Sequence, residues 1–428
     1  MRDAILFIVV FGSLPFIFKR PAIGVMMFAW LSLMNPHRLA YGSAHDFPFA
    51  AVICLVTLLS LFISKEPKSF PLMPVTVTLL VFAAWMTLSS FFALEPDLVW
   101  REWNRVMKTY AMIFVSMVAL RSERDIKQMV WVVGLSIGFY GVKGGVFTIL
   151  SGGSSHVFGP DDSYISDNNA LALALITVAP LLWYQTMQAT EKYQKLAMYA
   201  LVALTVVAAA GSYSRGALIA GAAMLGFLWL KSRAKLRTGL ALLLVAPLIY
   251  LVMPAQWFGR METIDNYAED ASALGRINAW GFALRIAKDN LLGGGYNVFS
   301  PRMFTLFAPD AFNHHAAHSI YFQVLGEHGY LGLLLFVLFM VFAWRCGTRI
   351  IRTCKNRPEL KWASDLGAMC QVSLIGYLVG GAFLTMAYYD LVYYIAAILV
   401  VLDRFLLPEK NLRPAAPTLM PYRSREQG

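Results

Sequence analysis

The chain has 428 residues, 58% of them hydrophobic and only 14% charged, with a formal net charge of +11 and a mean hydropathy of +0.58. A water-soluble domain is nearer half apolar and a quarter charged, so this balance excludes an ordinary soluble fold. Nor does the positive excess indicate nucleic acid: the basic residues fall between apolar runs and build no continuous face, as expected where Lys and Arg collect in cytoplasmic loops.

Apolar runs lie at about 4–18, 21–34, 47–63, 71–93, 107–120, 128–150, 169–188, 196–213, 216–230, 238–254, 319–344, 366–386 and 388–406. They predict 12 or 13 spans, the first two short. The fold class is an all-α polytopic membrane protein, because isolated strands cannot satisfy their backbone in lipid. No small-residue cleavage site follows the first run, which is therefore expected to stay as a span. Lys231, Arg233, Lys235 and Arg237 mark one cytoplasmic loop; Arg345, Arg349, Arg352, Lys355, Arg357 and Lys361 mark another. Alternation then puts 151–168, 214–215, 255–318 and 386–390 outside. Segment 94–108 also falls outside, against the charge rule. Cys54 and Cys370 fall in spans, Cys346 and Cys354 in a cytoplasmic loop, so no disulfide framework and no paired Cys motif is expected. No soluble domain interrupts the chain, and a cytoplasmic tail is read over 408–428. The tail is Pro-rich and basic, and reads as disordered.

Taken in chain order, the polar residues near the membrane begin with Arg101, Arg105 and Lys108, which share one helical face beside Trp100 and Trp103. An interfacial anchor and a phosphate-binding face both fit. Lys143 lies about two turns inside its span, where an ammonium faces a cavity or a partner, or snorkels. Asp167-Asn168-Asn169 closes an outer loop and equally suits a helix N-cap. Ser212-Tyr213-Ser214-Arg215-Gly216 is the shortest outer turn. It holds Arg215 among small residues that leave room for a ligand, with a snorkelling arginine as the plain alternative. In the loop 255–318, Gly275-Arg276-Ile277-Asn278-Ala279-Trp280 opens a helix to about Asn290, which Gly293-Gly294-Gly295 ends. A loop of this length with its own helix reads as a functional lid.

Three of the seven histidines, His314, His315 and His318, stand at the mouth of the span that follows. Capping or core packing is one use for His318. Metal binding is not expected, since only His314 and His318 share a helical face and no carboxylate is interleaved as in HExxH. As a general base, His318 needs an acceptor hydroxyl and nearby cations, and Arg215, Arg276 and Lys143 are predicted on the same side. A neutral imidazole beside cations suits moving a group off a phosphorylated lipid carrier.

Ser214-Arg215-Gly216-Ala217-Leu218, the Gly275-Arg276 helix in a large outer loop, and His318-Ser319 opening the next span resemble the O-antigen ligase and polymerase superfamily. More narrowly, four stretches resemble the O-glycosylation ligase branch associated with the exosortase A system. These are Asn35-Pro36-His37-Arg38-Leu39, Lys143-Gly144-Gly145, Gly159-Pro160 with Asp167-Asn168-Asn169, and Ala316-Ala317-His318-Ser319-Ile320-Tyr321-Phe322 through Gly326-Glu327-His328-Gly329. The resemblance covers nearly the whole chain; it makes 1–190 the N-terminal membrane region of that type and 191–407, with the outer loop 255–318, an O-antigen ligase-like membrane domain. It implies a glycosyltransferase-C-like fold in the bacterial inner membrane, with its active site facing the periplasm. A glycan would pass from undecaprenyl pyrophosphate to a hydroxyl of a protein, lipid or other glycan, with no cofactor and no metal. Arg215 and Arg276 would neutralise the pyrophosphate and His318 would activate the acceptor. Lys143, Arg101, Arg105, Asn168, Asn169 and His315 would contact substrate. A polymerase of the same superfamily would use the same residues. A transporter of the lipid-linked glycan is the alternative from another class, although no internal repeat between the halves is evident.

Overall fold

A computed structural model of the protein describes residues 2–66, 68–231, 235–236, 239–240, 253–262 and 271–406. The predicted run 238–254 falls almost wholly outside the described residues, as do Arg233, Arg237, part of the loop 255–318 and the tail 408–428. The architecture is helical, with no strand among the described residues. In chain order the helices are α1 (Arg2–Lys19), α2 (Pro21–Met34), α3 (Phe49–Ile63), α4 (Pro74–Phe91), α5 (Pro96–Ala119), α6 (Glu123–Leu150), α7 (Asn168–Gln188), α8 (Lys192–Gly211) and α9 (Arg215–Lys231). There follow α10 (Ala255–Glu262), α11 (Ala271–Asp289), α12 (Pro301–Phe307), α13 (Ile320–Thr353), α14 (Lys361–Gly381) and α15 (Asp390–Phe405). Each predicted apolar run inside the described residues is a helix, which makes this a multi-pass membrane protein.

Local chemistry sets the boundaries. Proline supplies the first residue of α2, α4 and α5, where its fixed φ fits and its missing N–H is not needed. Ser122 and Asp125 form a reciprocal capping box on α6. Five helices, α4, α6, α7, α8 and α13, are long and apolar enough to cross a membrane by length and composition. The 14-residue α2 and 15-residue α3 are shorter, roughly 20 Å at 1.5 Å per residue. The predicted interfacial helix around Arg101 is instead the opening of the 24-residue α5.

Cross-links between loops collect one end of the bundle. Arg38 pairs with Asp162 at 3.5 Å, the Asn168 amide donates to Ser212 O at 2.7 Å, the Asn297 amide donates to Leu98 O at 3.1 Å, and His318 N–H donates to Thr385 Oγ1 at 2.8 Å. The segments predicted to lie outside therefore share one end. Arg20–Asp125 and Arg349–Asp403, at 2.6 Å, pair at the other end.

The last helix, α15, is apolar between its charged ends, and 14 of its 16 residues are buried. A helix of that composition belongs inside a bundle, and α15 packs among α2, α4, α5, α6 and α13. Against α8, helix α6 presents a stripe of small residues: Gly141 meets Thr205, Gly144 meets Ala208, and Gly145 meets the Leu204 backbone. Without a hydrophobic force between helices in lipid, such close approach supplies the packing. A Cβ at Gly145 would stand 2.4 Å from Leu204 O. Gly145→Val should therefore lower stability by about 1–3 kcal/mol, read as a lower melting temperature of the detergent-solubilised protein. An unchanged melting temperature would contradict the close α6–α8 contact.

Candidate active site

The histidine loop is held from below by α11. The buried Asn278 amide donates to Asp310 O and Asn313 O, both at 2.8 Å, and its Oδ1 accepts from Asp310 N–H at 2.8 Å. Trp280 Nε1 donates to Ala317 O at 2.9 Å while its ring stacks on Phe322 with 4.9 Å between centroids. Gly275 gives His315 its place, since a Cβ there would stand 2.3 Å from the imidazole. His314 is committed elsewhere: its Nε2 meets Phe299 O at 2.8 Å and its ring abuts Phe304.

His318 precedes Ser319, the N-cap of α13. Its φ is +43°, in the left-handed region that non-glycine residues seldom adopt, and the N–H bond to Thr385 secures it there. Backbone strain of this kind gathers at functional sites. Burial lowers the imidazole pKa from its ordinary 6.5, and the Arg276 guanidinium and then His315 lower it further, while Asp167 works against them. Arg276, His315, Asp167 and His318 thus form one electrostatic neighbourhood, in which the neutral imidazole is favoured near pH 7.

Arg215 opens α9 after a tight turn. Ser214 Oγ accepts from Ala217 N–H at 3.2 Å, as an N-cap does, and Tyr213, at φ +59°, donates its hydroxyl to Gly153 O at 2.5 Å. Asp167 caps α7 through Asn169 N–H at 2.6 Å and Ala170 N–H at 3.0 Å. Asn168 ties that cap to Ser212 O, and the Asn169 amide donates to Asn168 Oδ1 at 3.3 Å. The Asp-Asn-Asn element therefore builds the Arg215 turn. A mostly apolar cleft of about 330 Å³ runs beside Ser214, between Ala179, Val206, Leu218 and Trp257.

One hairpin joins the two halves of the cluster. Phe383 lies over Gly216, Ile320 lies over Gly381, and Thr385 holds His318. Arg215 and His318 are thereby set against the same 380–385 turn. Lys143 does not join them: exposed on the outer face of α6, it lines a separate groove with Arg2, Trp30 and Phe139. Arg101 and Arg105 also stand apart, at a second cavity that includes Arg38 and Asp390.

The site's support includes residues that the apolar pattern hid. The span predicted over 319–344 is broken at Gly329, whose φ is +68° and ψ −173°. Three carbonyls at the break find partners outside the helix: Gly326 O accepts from Gly294 N–H and Glu327 O from Gly295 N–H, each at 2.8 Å, and His328 O accepts from Trp85 Nε1 at 2.8 Å. The glycine run after α11 is thus the strap that docks on the broken helix. Glu327, 4% exposed, accepts from Tyr388 hydroxyl at 2.5 Å and from Asn297 N–H at 3.1 Å. His328 Nδ1 pairs with Ser89 Oγ at 2.6 Å. A carboxylate and an imidazole between glycines in an apolar run was the available signal, because such groups at membrane depth need dedicated partners.

Comparison with known families divides the chain along its length. Residues 1–190 match a family of unknown function (DUF5935), and residues 200–337 match the O-antigen ligase family. No curated protein matches the chain. Arg215, Arg276 and His318 all fall within the second match, so the stretch of this multi-pass membrane protein that holds them is similar to the O-antigen ligase family.

Proposed function

We propose that the protein transfers a glycan from undecaprenyl pyrophosphate to an acceptor hydroxyl at the periplasmic face of a bacterial inner membrane. The observation that carries this reading is the strained His318 beside Arg276, held by the same turn that packs on the Arg215 helix. In the proposed step His318 takes the acceptor's proton as its oxygen attacks the anomeric carbon. The bond from that carbon to the pyrophosphate breaks, and undecaprenyl pyrophosphate leaves with the electron pair. Arg215 and Arg276 meet the charge that develops there, for which planar bidentate guanidinium groups are suited. The mostly apolar cleft beside Ser214 offers the prenyl chain a place to lie. Guanidinium groups supply all the positive charge, so no metal enters the step. The resemblance to the exosortase-associated branch favours a protein or surface-glycan acceptor, and His315, against Gly275, would border its entrance.

The break in α13 favours a second reading, because discontinuous helices mark the binding sites of many transporters. Three carbonyls at the break are already bonded to Gly294, Gly295 and Trp85, which leaves them no cargo to coordinate, so the transferase reading is preferred.

The test supplies purified protein with undecaprenyl-pyrophosphate glycan and candidate acceptors, and follows the released carrier. Arg215→Ala and Arg276→Ala should each lower kcat by about 10²–10³, the usual cost of removing one group that stabilises developing charge. Lysine at either position should restore only part of the rate, since an ammonium lacks the fork geometry. Carrier release by wild type that stayed at background with every acceptor supplied would sink the transferase reading. Product length separates a single block transfer from a polymerase ladder.

A further inference from the structure

A second charged cavity opens at the same end of the bundle, between α2, α5, the turn at 36–38 and the first residue of α15. Its volume is about 650 Å³, within the roughly 300–1,000 Å³ of small-molecule sites. His318, Arg215 and Arg276 are not among its walls. Apart from Asn297 and Asp390, its walls come from the part of the chain that matches a family of unknown function.

The cavity's charges are unevenly committed. Arg38 is 3.4 Å from Asp46 and 3.5 Å from Asp162. The Arg105 guanidinium sits 3.6 Å from the centre of the Tyr164 ring, and the Tyr164 hydroxyl donates to Glu102 at 2.6 Å. Arg101 and Lys108, two turns apart on the exposed face of α5, have no ion pair or hydrogen bond among the described residues. The same cavity is lined by Asp390, 4% exposed; Ser32 and Arg105 act on its carboxylate, yet its Oδ1 is buried and without a hydrogen-bond partner among the described residues.

A buried carboxylate oxygen without a donor is costly, so what is missing opposite Asp390 is an O–H or N–H group. What is missing opposite Arg101 and Lys108 is an anion. A phosphodiester would bring a like charge to Asp390 and has no O–H to offer it, and free phosphate or pyrophosphate carries its one P–OH on the anion itself, against the Asp390 charge. A sugar acid carries both features, a carboxylate for the rim and hydroxyls for Asp390. We propose that this cavity is a binding site for an acidic carbohydrate, whose carboxylate meets Arg101 and Lys108 and whose hydroxyls meet Asp390. The proposal does not depend on the transferase chemistry, because no reacting group is asked of the cavity.

The test uses the full chain in nanodiscs of uncharged lipid, which removes anionic headgroups as competitors. Tri-galacturonate, a neutral galactose trimer and inorganic pyrophosphate are titrated separately by calorimetry. Tri-galacturonate should bind, and the neutral trimer should bind at least roughly ten-fold more weakly, as loss of a charged hydrogen bond implies. The double variant Arg101→Gln/Lys108→Gln, which alters only exposed side chains, should weaken tri-galacturonate by roughly ten-fold or more at an unchanged melting temperature. Asp390→Asn should weaken both trimers. No binding of tri-galacturonate, equal binding of the neutral trimer, or full affinity in the double variant would each overturn the proposal. Tighter binding of pyrophosphate than of the acidic trimer would give the cavity to phosphate instead. Repeating the titration in anionic nanodiscs separates a lipid headgroup as occupant, since only that arm would then lose affinity by competition.

Discussion

His318→Asn should reduce glycan transfer by about 10²–10⁴, the range for losing a general base, while the protein keeps its fold. Asparagine is the informative replacement because it tolerates the left-handed backbone that His318 occupies at φ +43°. His318→Ala removes the same imidazole but adds backbone strain, so a lower melting temperature in that variant alone would report the strain. The pH profile supplies a second readout. On the proposed mechanism the neutral imidazole is the active form, and protonation stops it. Burial first, then Arg276 and His315, push its pKa below the ordinary 6.5. The rate should therefore hold through neutrality and fall only on the acid side of pH 6.5. Arg276→Ala removes one of the lowering charges and should move that acid limb upward. The same shift has a stability sign: below pH 6.5 the unfolded chain takes up a proton that the folded site resists, so the folded state loses stability as pH falls through that window. Full transfer activity in His318→Asn would remove His318 from the mechanism, whatever becomes of the family assignment.

The second large effect concerns the broken helix. Gly329→Ala should be severely destabilising. Its φ of +68° with ψ of −173° is a region almost restricted to glycine, where another residue costs about 1–3 kcal/mol. A Cβ there would also lie 2.3 Å from Leu291 O, so the strap after α11 would have to lift. Glu327→Ala acts on the same junction from the polar side. It strands the Tyr388 hydroxyl and Asn297 N–H, at about 1–3 kcal/mol for each buried donor left without an acceptor. Glu327→Gln keeps one acceptor and should fall between wild type and alanine. Gly226→Ala on α9 is the control, since a Cβ there meets nothing within 4 Å. Thermal unfolding in detergent orders the four variants. Equal melting temperatures for Gly329→Ala and Gly226→Ala would mean that the break does not hold the strap.

Much of the fold was legible because apolar length is a one-dimensional property. Each run of suitable hydropathy within the described residues became a helix, and the Gly275–Trp280 segment became α11. Glycine at 293–295 was legible as a helix stop, but its role as the strap on Gly326 and Glu327 was not, because that pairing joins backbone more than 30 residues apart. Arg215, Arg276 and His318 could be singled out by charge and small neighbours. Lys143 carried the same signal, yet the rotation of α6 against α8 turned it away from them. A charge in an apolar run shows that a partner is needed, and only packing says which side the partner is on.

The sequence by itself determined the membrane-spanning helices, the order of the loops and the residue types able to take a hydroxyl proton or hold a pyrophosphate. These follow from transfer free energies and intrinsic chemistry, which each residue carries with it. The tertiary structure alone decided which residues meet. It set His318 beside Arg276 at the turn that bears Thr385, gathered Arg101, Lys108 and Asp390 around one cavity, and broke α13 at Gly329. The physical reason is that these contacts depend on helix rotation and on hydrogen bonds between segments far apart in the chain, and neither leaves a local pattern in the sequence.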